Sequence, residues 1–508
     1  MPILRLDKRT LILGLIVFLV ALTIRIWHIT SANYLDHNGD SYHHWLTSYL
    51  TATHGYVHTD YKGNNLNIAW LPLYHYMIAI LMNTFKVYNL NVQHGFNILL
   101  GSLTCLIVFV LARHFNSLEV GFAAGLALAV QPWFVEISTL GVSEIAAIFL
   151  LMVGIYLFSR RKITVAAIPV ALAMLIRYEA WVFALPMVIV GVVQKRVSRG
   201  QFVSYSLVCL AVVIGWSLNS WIQTGQLTSW YTIQSMTVMW DRLFTSHVGG
   251  ALEYVGLLIE ATSGMFLVGL LVGLLRSDRD ARMLFFLELT YLLIVIFQFF
   301  RGTAPFQVRF LSYLFPLTAA LSPGAVRFLS RILRRSDRKT ALSILFLAII
   351  VVFPLWHQFW IIAPTTDQTR LDRHVAAELV AGELLGRIHV EGNILCDSPT
   401  IIYYSQLDPG KFYSTNNLEW YKQTWNKSQL AAWMSERDIR YLVWQNVSYS
   451  ASWWLFPEFS NGGELALPQI TFKMIVSTSS DFGPIYIYHV ETLLTGNQIM
   501  RLNYANSQ

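Results

Sequence analysis

Leu71–Val87 reads LPLYHYMIAILMNTFKV, and whether this segment crosses a bilayer decides the threading of everything around it. A hydrocarbon core about 30 Å thick needs roughly 20 apolar residues of helix. This run is shorter and carries Tyr74, His75, Tyr76, Asn83 and Lys86. If it crosses, the loops holding Arg160-Arg161-Lys162, then Lys195, Arg196 and Arg199, then Arg276, Arg279 and Arg282, and finally Arg331 through Lys339 all emerge on the outer side. If it does not, every one of them is cytoplasmic. Basic loops are retained on the cytoplasmic side, so the segment reads as an interfacial helix on the outer face.

The first apolar run before it, Leu11–Ile29, follows Arg5, Lys8 and Arg9 and lacks a small-residue cleavage site. That pattern predicts an uncleaved first span with a cytoplasmic N-terminus. After it come runs at 95–113, 119–137, 143–159, 163–180, 181–194, 202–222, 250–275, 283–300, 309–330 and 341–363. The expectation is a polytopic helical protein of about eleven spans. Composition agrees: of 508 residues, 55% are hydrophobic and 13% charged, about half the charge of a soluble chain. The net charge of +7 is spent mainly on orienting the loops and does not imply nucleic acid. Cys105 and Cys209 lie in apolar runs and Cys396 stands alone, which excludes a disulfide framework or a zinc signature.

Polarity returns after Ile362. A helical stretch over 374–388, a strand over 393–396, a helix near 429–436, a strand over 440–444 and a β pair at 472–477 and 484–489 predict a small α/β domain. The expected organisation is a membrane domain over residues 1–363, with its first external loop at 30–94, and a soluble extracytoplasmic α/β domain over 364–508. The chain is expected in a cell membrane, with its C-terminal domain outside.

Ionisable groups are costly at membrane depth, and here they gather on the outer side. Asp36, His37, Asp40, His43 and His44 follow the first span; Glu144 opens the 143–159 run; Arg177, Tyr178 and Glu179 interrupt an apolar stretch; Arg301 and Arg309 flank a late loop. A carboxylate can take a proton from an acceptor hydroxyl, and arginine forks can hold a phosphate as it leaves. A lipid-linked phosphosugar asks for both. Each group also has a structural reading: Asp36 or Asp40 as the cap of a helix starting near Ser41, Glu144 at a helix N-terminus, Arg301 and Arg309 as span anchors, and the histidines as interfacial hydrogen-bonding groups or ligands of a metal.

At these residues the chain resembles the GT-C superfamily of polytopic glycosyltransferases, particularly the branch of protein O-mannosyltransferases and the lipid A aminoarabinose transferase. Gly39-Asp40-Ser41-Tyr42-His43-His44-Trp45 is similar to the acidic motif of that family's first external loop. Trp70-Leu71-Pro72-Leu73-Tyr74-His75-Tyr76 looks like its Lys-Pro interfacial segment, without the lysine. Leu140-Gly141-Val142-Ser143-Glu144, Leu175-Ile176-Arg177-Tyr178-Glu179 and Val308-Arg309-Phe310-Leu311-Ser312 resemble the second acid, the basic residue before a span and the arginine–aromatic segment. The resemblance covers most of the first 330 residues.

It implies an inverting transferase using a polyprenyl-phosphate sugar donor and a protein, lipid or glycan acceptor. Asp40 and Glu144 take the catalytic places, and Arg177, Arg309 and Arg301 the phosphate. Asp36, His43, His44, His75, Tyr178 and Glu179 are expected around the substrate. The family leaves metal use open: its oligosaccharyltransferase branch places a divalent cation such as Mg or Mn between such acids, whereas the mannosyltransferase-like branch generally does not. The rival reading is a transporter or flippase of lipid-linked saccharides with an external binding domain. Transporters place ionisable groups near the midplane of repeated halves, and neither feature is visible in this sequence.

Overall fold

The computed structural model describes residues 7–30, 35–55, 59, 61, 70–231, 256, 258–262, 264–276, 278–301, 308–326, 345, 349, 366–414, 427–445, 456–466, 470–480 and 483–492. Its helices are α1 (Lys8–Ile29), α2 (Gly39–Thr53), α3 (Leu73–Phe85), α4 (Asn91–Phe115), α5 (Leu118–Ala129), α6 (Pro132–Thr139), α7 (Glu144–Ser159), α8 (Ile163–Met174), α9 (Trp181–Val193), α10 (Arg199–Thr224), α11 (Met265–Leu275), α12 (Arg279–Arg301), α13 (Leu314–Leu321), α14 (Thr366–Arg387), α15 (Pro399–Ser405) and α16 (Lys427–Glu436). The strands are β1 (Asn393–Cys396), β2 (Phe412–Tyr413), β3 (Ile439–Gln445), β4 (Leu465–Ala466), β5 (Ile470–Ser480) and β6 (Gly483–Thr492). The chain divides into two compact units, the first of Met1–Tyr34, Ile68–Tyr74 and Asn91–Ala363, the second of Leu35–Asn67, His75–Leu90 and Pro364–Gln508.

The first unit is helical. α1, α4 and α10 have 22, 25 and 26 residues and are long and apolar enough to cross a membrane. α7, α8, α9 and α11 are shorter apolar helices. The expected span at 341–363 lies outside the described residues, apart from two isolated helical positions. The deciding segment forms a helix of 13 residues, about 20 Å long at 1.5 Å per residue.

The 119–137 run is not one span. It breaks into α5 and α6, bent by 59°, because Pro132 has no N–H with which to continue the ladder. The Gln131 side chain caps α6 by accepting from the Phe134 N–H at 2.5 Å. Buried Arg25 of α1 donates to the Ala129 carbonyl at 3.4 Å and so serves an acceptor left at the end of α5.

Contacts sort the loops of this unit to two ends. At one, Arg9 pairs with Glu119 at 3.3 Å, Arg276 donates to Asn116 Oδ1 at 2.6 Å, and Arg196 pairs with Asp280. At the other, His28 pairs with Glu136 at 2.9 Å, and the Leu73 N–H reaches the Leu175 carbonyl at 3.1 Å. Basic residues at 196, 276 and 279–282 thus cluster at the first end, while the α6–α7 and α8–α9 loops occupy the second.

The second unit is built on a six-stranded sheet in the order β2-β1-β3-β6-β5-β4. β1 pairs in parallel with β2 and β3, and the remaining pairs are antiparallel. Trp444 of β3 and Tyr488 of β6 are buried, and Phe456, Phe459 and Phe472 complete the apolar cluster. Gly386 allows α14 to lie on α15, since a Cβ there would stand 2.3 Å from the Ser405 carbonyl oxygen. α2 packs on α15 through Tyr42 and Trp45, whose rings stand edge-on to Tyr403 at 5.5 and 4.8 Å. This grouping of residues near 40 with residues near 400 leaves no mark in local sequence pattern.

Candidate active site

In the first unit the site is built from the α6–α7 loop. Asn97 on α4, fully buried, donates through Nδ2 to the carbonyls of Leu140 and Val142, both at 2.7 Å. Gln93, one turn earlier, donates to the Gly141 carbonyl at 3.1 Å. Three consecutive carbonyls are thereby held, and the chain enters α7 with Glu144 as its first residue. Ser143 makes no side-chain cap. Replacing Asn97 with leucine is expected to leave two buried carbonyls without donors at a cost of about 1–3 kcal/mol. The check is a lowered melting temperature of the detergent-solubilised chain.

Arg177 meets Glu144 at the break between α8 and α9. Its Nη2 lies 3.3 Å from a Glu144 oxygen, with side chains 8% and 2% exposed. The ion pair is that carboxylate's partner; neither Glu144 oxygen has a hydrogen bond among the described residues. Glu179 takes one edge of the guanidinium in bidentate fashion, at 3.0 Å from Nε and 2.7 Å from Nη2. Trp70 and Phe310 hold their ring centroids 5.9 Å from the Arg177 guanidinium carbon. Arg309 approaches the same Phe310 ring at 5.1 Å, and the buried Tyr313 phenol lies beside the three charges. Arg177 itself thus stands as one cation between two carboxylates, with Arg309 a second cation across Phe310. Tyr178 turns away to stack on Trp230 at 5.0 Å and accepts from Trp216 Nε1 at 2.8 Å. The side chain of Arg301, at the end of α12, lies outside the described residues.

The acidic motif after the first span lies in the second unit. Neither Asp36 nor Asp40 caps α2; Asn38 does, accepting from the Asp40 N–H at 3.0 Å. The reason is reach: Asn38 directly precedes Gly39, the first helical residue, so its amide oxygen meets the free N–H groups of the first turn. Asp40 sits within that first turn. Asp36 is buried and holds the approach, accepting from the Asn38 N–H at 3.1 Å, while its carbonyl accepts from the Tyr42 hydroxyl at 2.8 Å. Burial raises the Tyr42 phenol far above its ordinary pKa, and the Asp36 charge adds to this, so Tyr42 remains a donor at neutral pH. His44 and His75 are both buried and share a hydrogen bond, Nδ1 to Nε2, at 2.8 Å. His43 is half-buried, with its ring edge-on to Tyr61 at 6.4 Å.

Of the residues singled out in the sequence, Glu144, Arg177 and Glu179 come into direct contact, and Arg309 joins them across Phe310. Asn97 and Gln93 were missed. Their signal was there: two amides one helical turn apart in an apolar helix need acceptors, and a neighbouring loop is the natural source. No three His, Cys, Asp or Glu side chains converge to hold a metal ion among the described residues.

Residues 71–221 match the family described as dolichyl-phosphate-mannose-protein mannosyltransferase. No curated protein matches the sequence. Among solved structures, the chain is similar to the archaeal oligosaccharyltransferase AglB from Archaeoglobus fulgidus in complex with an inhibitory peptide and a dolichol-phosphate, at 13% identity and a TM-score of 0.51 over 86% of this chain and 69% of that one. It is also similar to the oligosaccharyltransferase of the same organism in complex with Zn and sulfate, at 13% identity and a TM-score of 0.54 over 85% and 67%. A third likeness is to ArnT from Cupriavidus metallidurans bound to undecaprenyl phosphate, at 11% identity and a TM-score of 0.57 over 94% and 97%. The chain thus shares the fold of these solved structures, a helical part followed by a C-terminal sheet-containing domain, and its residues 71–221 match the dolichyl-phosphate-mannose-protein mannosyltransferase family.

Proposed function

We propose that the chain is an inverting membrane glycosyltransferase that moves a sugar from a polyprenyl-phosphate carrier to a hydroxyl of a protein, lipid or glycan acceptor on the extracytoplasmic face. The observation that carries this reading is the buried Glu144–Arg177–Glu179 cluster, at the end of the first unit opposite the basic loops. Basic loops gathered at one end support a cytoplasmic position for that end and an outer position for the cluster.

In the reaction the acceptor oxygen attacks the anomeric carbon and forms the new glycosidic bond. The bond from that carbon to the phosphate oxygen breaks, and its electron pair stays on the phosphate. Asp40 takes the acceptor proton, Glu144 orients the reacting groups, and Arg177, Arg309 and Arg301 hold the phosphate as charge develops on it. Burial strengthens the charge interaction between Glu144 and Arg177 relative to water. Asp36, His43, His44, His75, Tyr178 and Glu179 support the substrate-binding residues.

The test uses the full chain in proteoliposomes with a polyprenyl-phosphate sugar labelled in the sugar, and membrane extract as the acceptor source. The expected result is loss of donor with equimolar appearance of free polyprenyl phosphate and of label in an acceptor. Donor that crosses the bilayer with its sugar–phosphate bond intact would instead indicate a flippase.

A further inference from the structure

Glu179 already occupies the kind of seat that a donor phosphate requires. An arginine binds a phosphate best through two parallel N–H groups on one edge, and a carboxylate fits the same edge. On Arg177 the Nε–Nη2 edge is taken by both oxygens of Glu179, at 3.0 and 2.7 Å. Glu144 approaches the same Nη2 at 3.3 Å without hydrogen-bond alignment.

The two acids differ in what they can do next. The Glu144 side chain is 2% exposed and the Glu179 side chain 19% exposed. A carboxylate that leaves an arginine must recover its hydration, and only one with a path to water does so at modest cost. Glu179 has that path; Glu144 is sealed beneath.

We propose that Glu179 is an internal competitor for the phosphate seat on Arg177, displaced to solvent when lipid phosphate binds and returning when it leaves. The proposal rests on the reading of Arg177 as a phosphate-holding residue. It goes beyond it by making Glu179 a residue that sets affinity rather than one that contacts substrate. It also gives the site a direction. The donor is a phosphodiester with one negative charge, whereas the product is a monoester whose second ionisation falls near pH 6. The return of Glu179 puts a carboxylate back on Arg177, which repels the product more strongly than the donor and favours its release. Without such a competitor, a buried arginine would retain the more highly charged product.

The test measures the Kd of undecaprenyl phosphate for the full chain in nanodiscs, by titration with native mass spectrometry, for wild type, Glu179→Gln, Arg177→Lys, Arg177→Ala and the Arg177→Ala/Glu179→Gln pair. Glutamine keeps the shape and an acceptor oxygen but removes the competing charge. Glu179→Gln is expected to tighten binding about three- to tenfold. Arg177→Lys and Arg177→Ala are expected to weaken it, and in the Arg177→Ala background Glu179→Gln should change nothing further. Unchanged or weaker binding in Glu179→Gln, with weakening in both Arg177 variants, overturns the competitor role and leaves the phosphate seat standing. Wild-type affinity in the Arg177 variants overturns the seat itself. Arg177→Lys keeps the cluster's charge, so it gives a folded reference should Arg177→Ala not accumulate.

Discussion

Replacing Asp40 with asparagine is expected to slow sugar transfer by about 10²- to 10⁴-fold, the range supplied by a positioned general base. Stability should change little. The cap of α2 is Asn38, so the helix start does not depend on the Asp40 charge. Asparagine also has nearly the same shape and sits in the same first turn. The measurement compares initial rates of donor consumption at saturating donor with the melting temperature of the same preparation. A rate near wild type in normally folded Asp40→Asn would remove Asp40 from the reaction. A parallel fall in melting temperature would instead mark it as a structural residue.

Removing Arg177 should have the second large effect, and it should be double. Arg177→Ala strands two carboxylates, one of them sealed from water. Breaking a buried pair on one side costs about 3–5 kcal/mol. Transfer should also be lost, because the phosphate loses its cation. The two effects can be separated. Arg177→Met combined with Glu144→Gln removes both buried charges and is expected to recover much of the stability without recovering transfer. Recovery of both together would mean that Arg177 serves the fold alone.

Much of the architecture was legible because it rests on local pattern. Short runs rich in β-branched and aromatic residues at 440–444, 472–477 and 484–489 predict strands that the sheet contains as β3, β5 and β6. The segment Leu71–Val87 forms a helix of 13 residues. The break after α5 is written in Gln131-Pro132, inside a run that hydropathy alone reads as one span. Hydropathy averages over the one position where the backbone cannot donate.

The site was legible in its members but not in its pairings. Arg177 and Glu179 are near neighbours in sequence, and a charge amid apolar residues asks for a partner. That Glu144 would be a second partner depends on how α7 meets the α8–α9 break, which in turn depends on amides at Gln93 and Asn97 holding the loop before it. The cap of α2 shows the same limit at shorter range. Asp36, Asn38 and Asp40 are all capable caps, and the local backbone path selects Asn38. The packing of α2 on α15 joins segments far apart in the chain, so no window of sequence could report it.

The central claim is that a lipid-linked phosphate is held at Arg177. It is tested most directly by mass spectrometry of the lipids that co-purify with the full chain, comparing wild type with Arg177→Lys at equal amounts of folded protein. A polyprenyl phosphate, or its sugar conjugate, is expected to be retained by wild type and strongly depleted in Arg177→Lys. Absence of any polyprenyl phosphate from wild type, or its equal retention by both proteins, would contradict it.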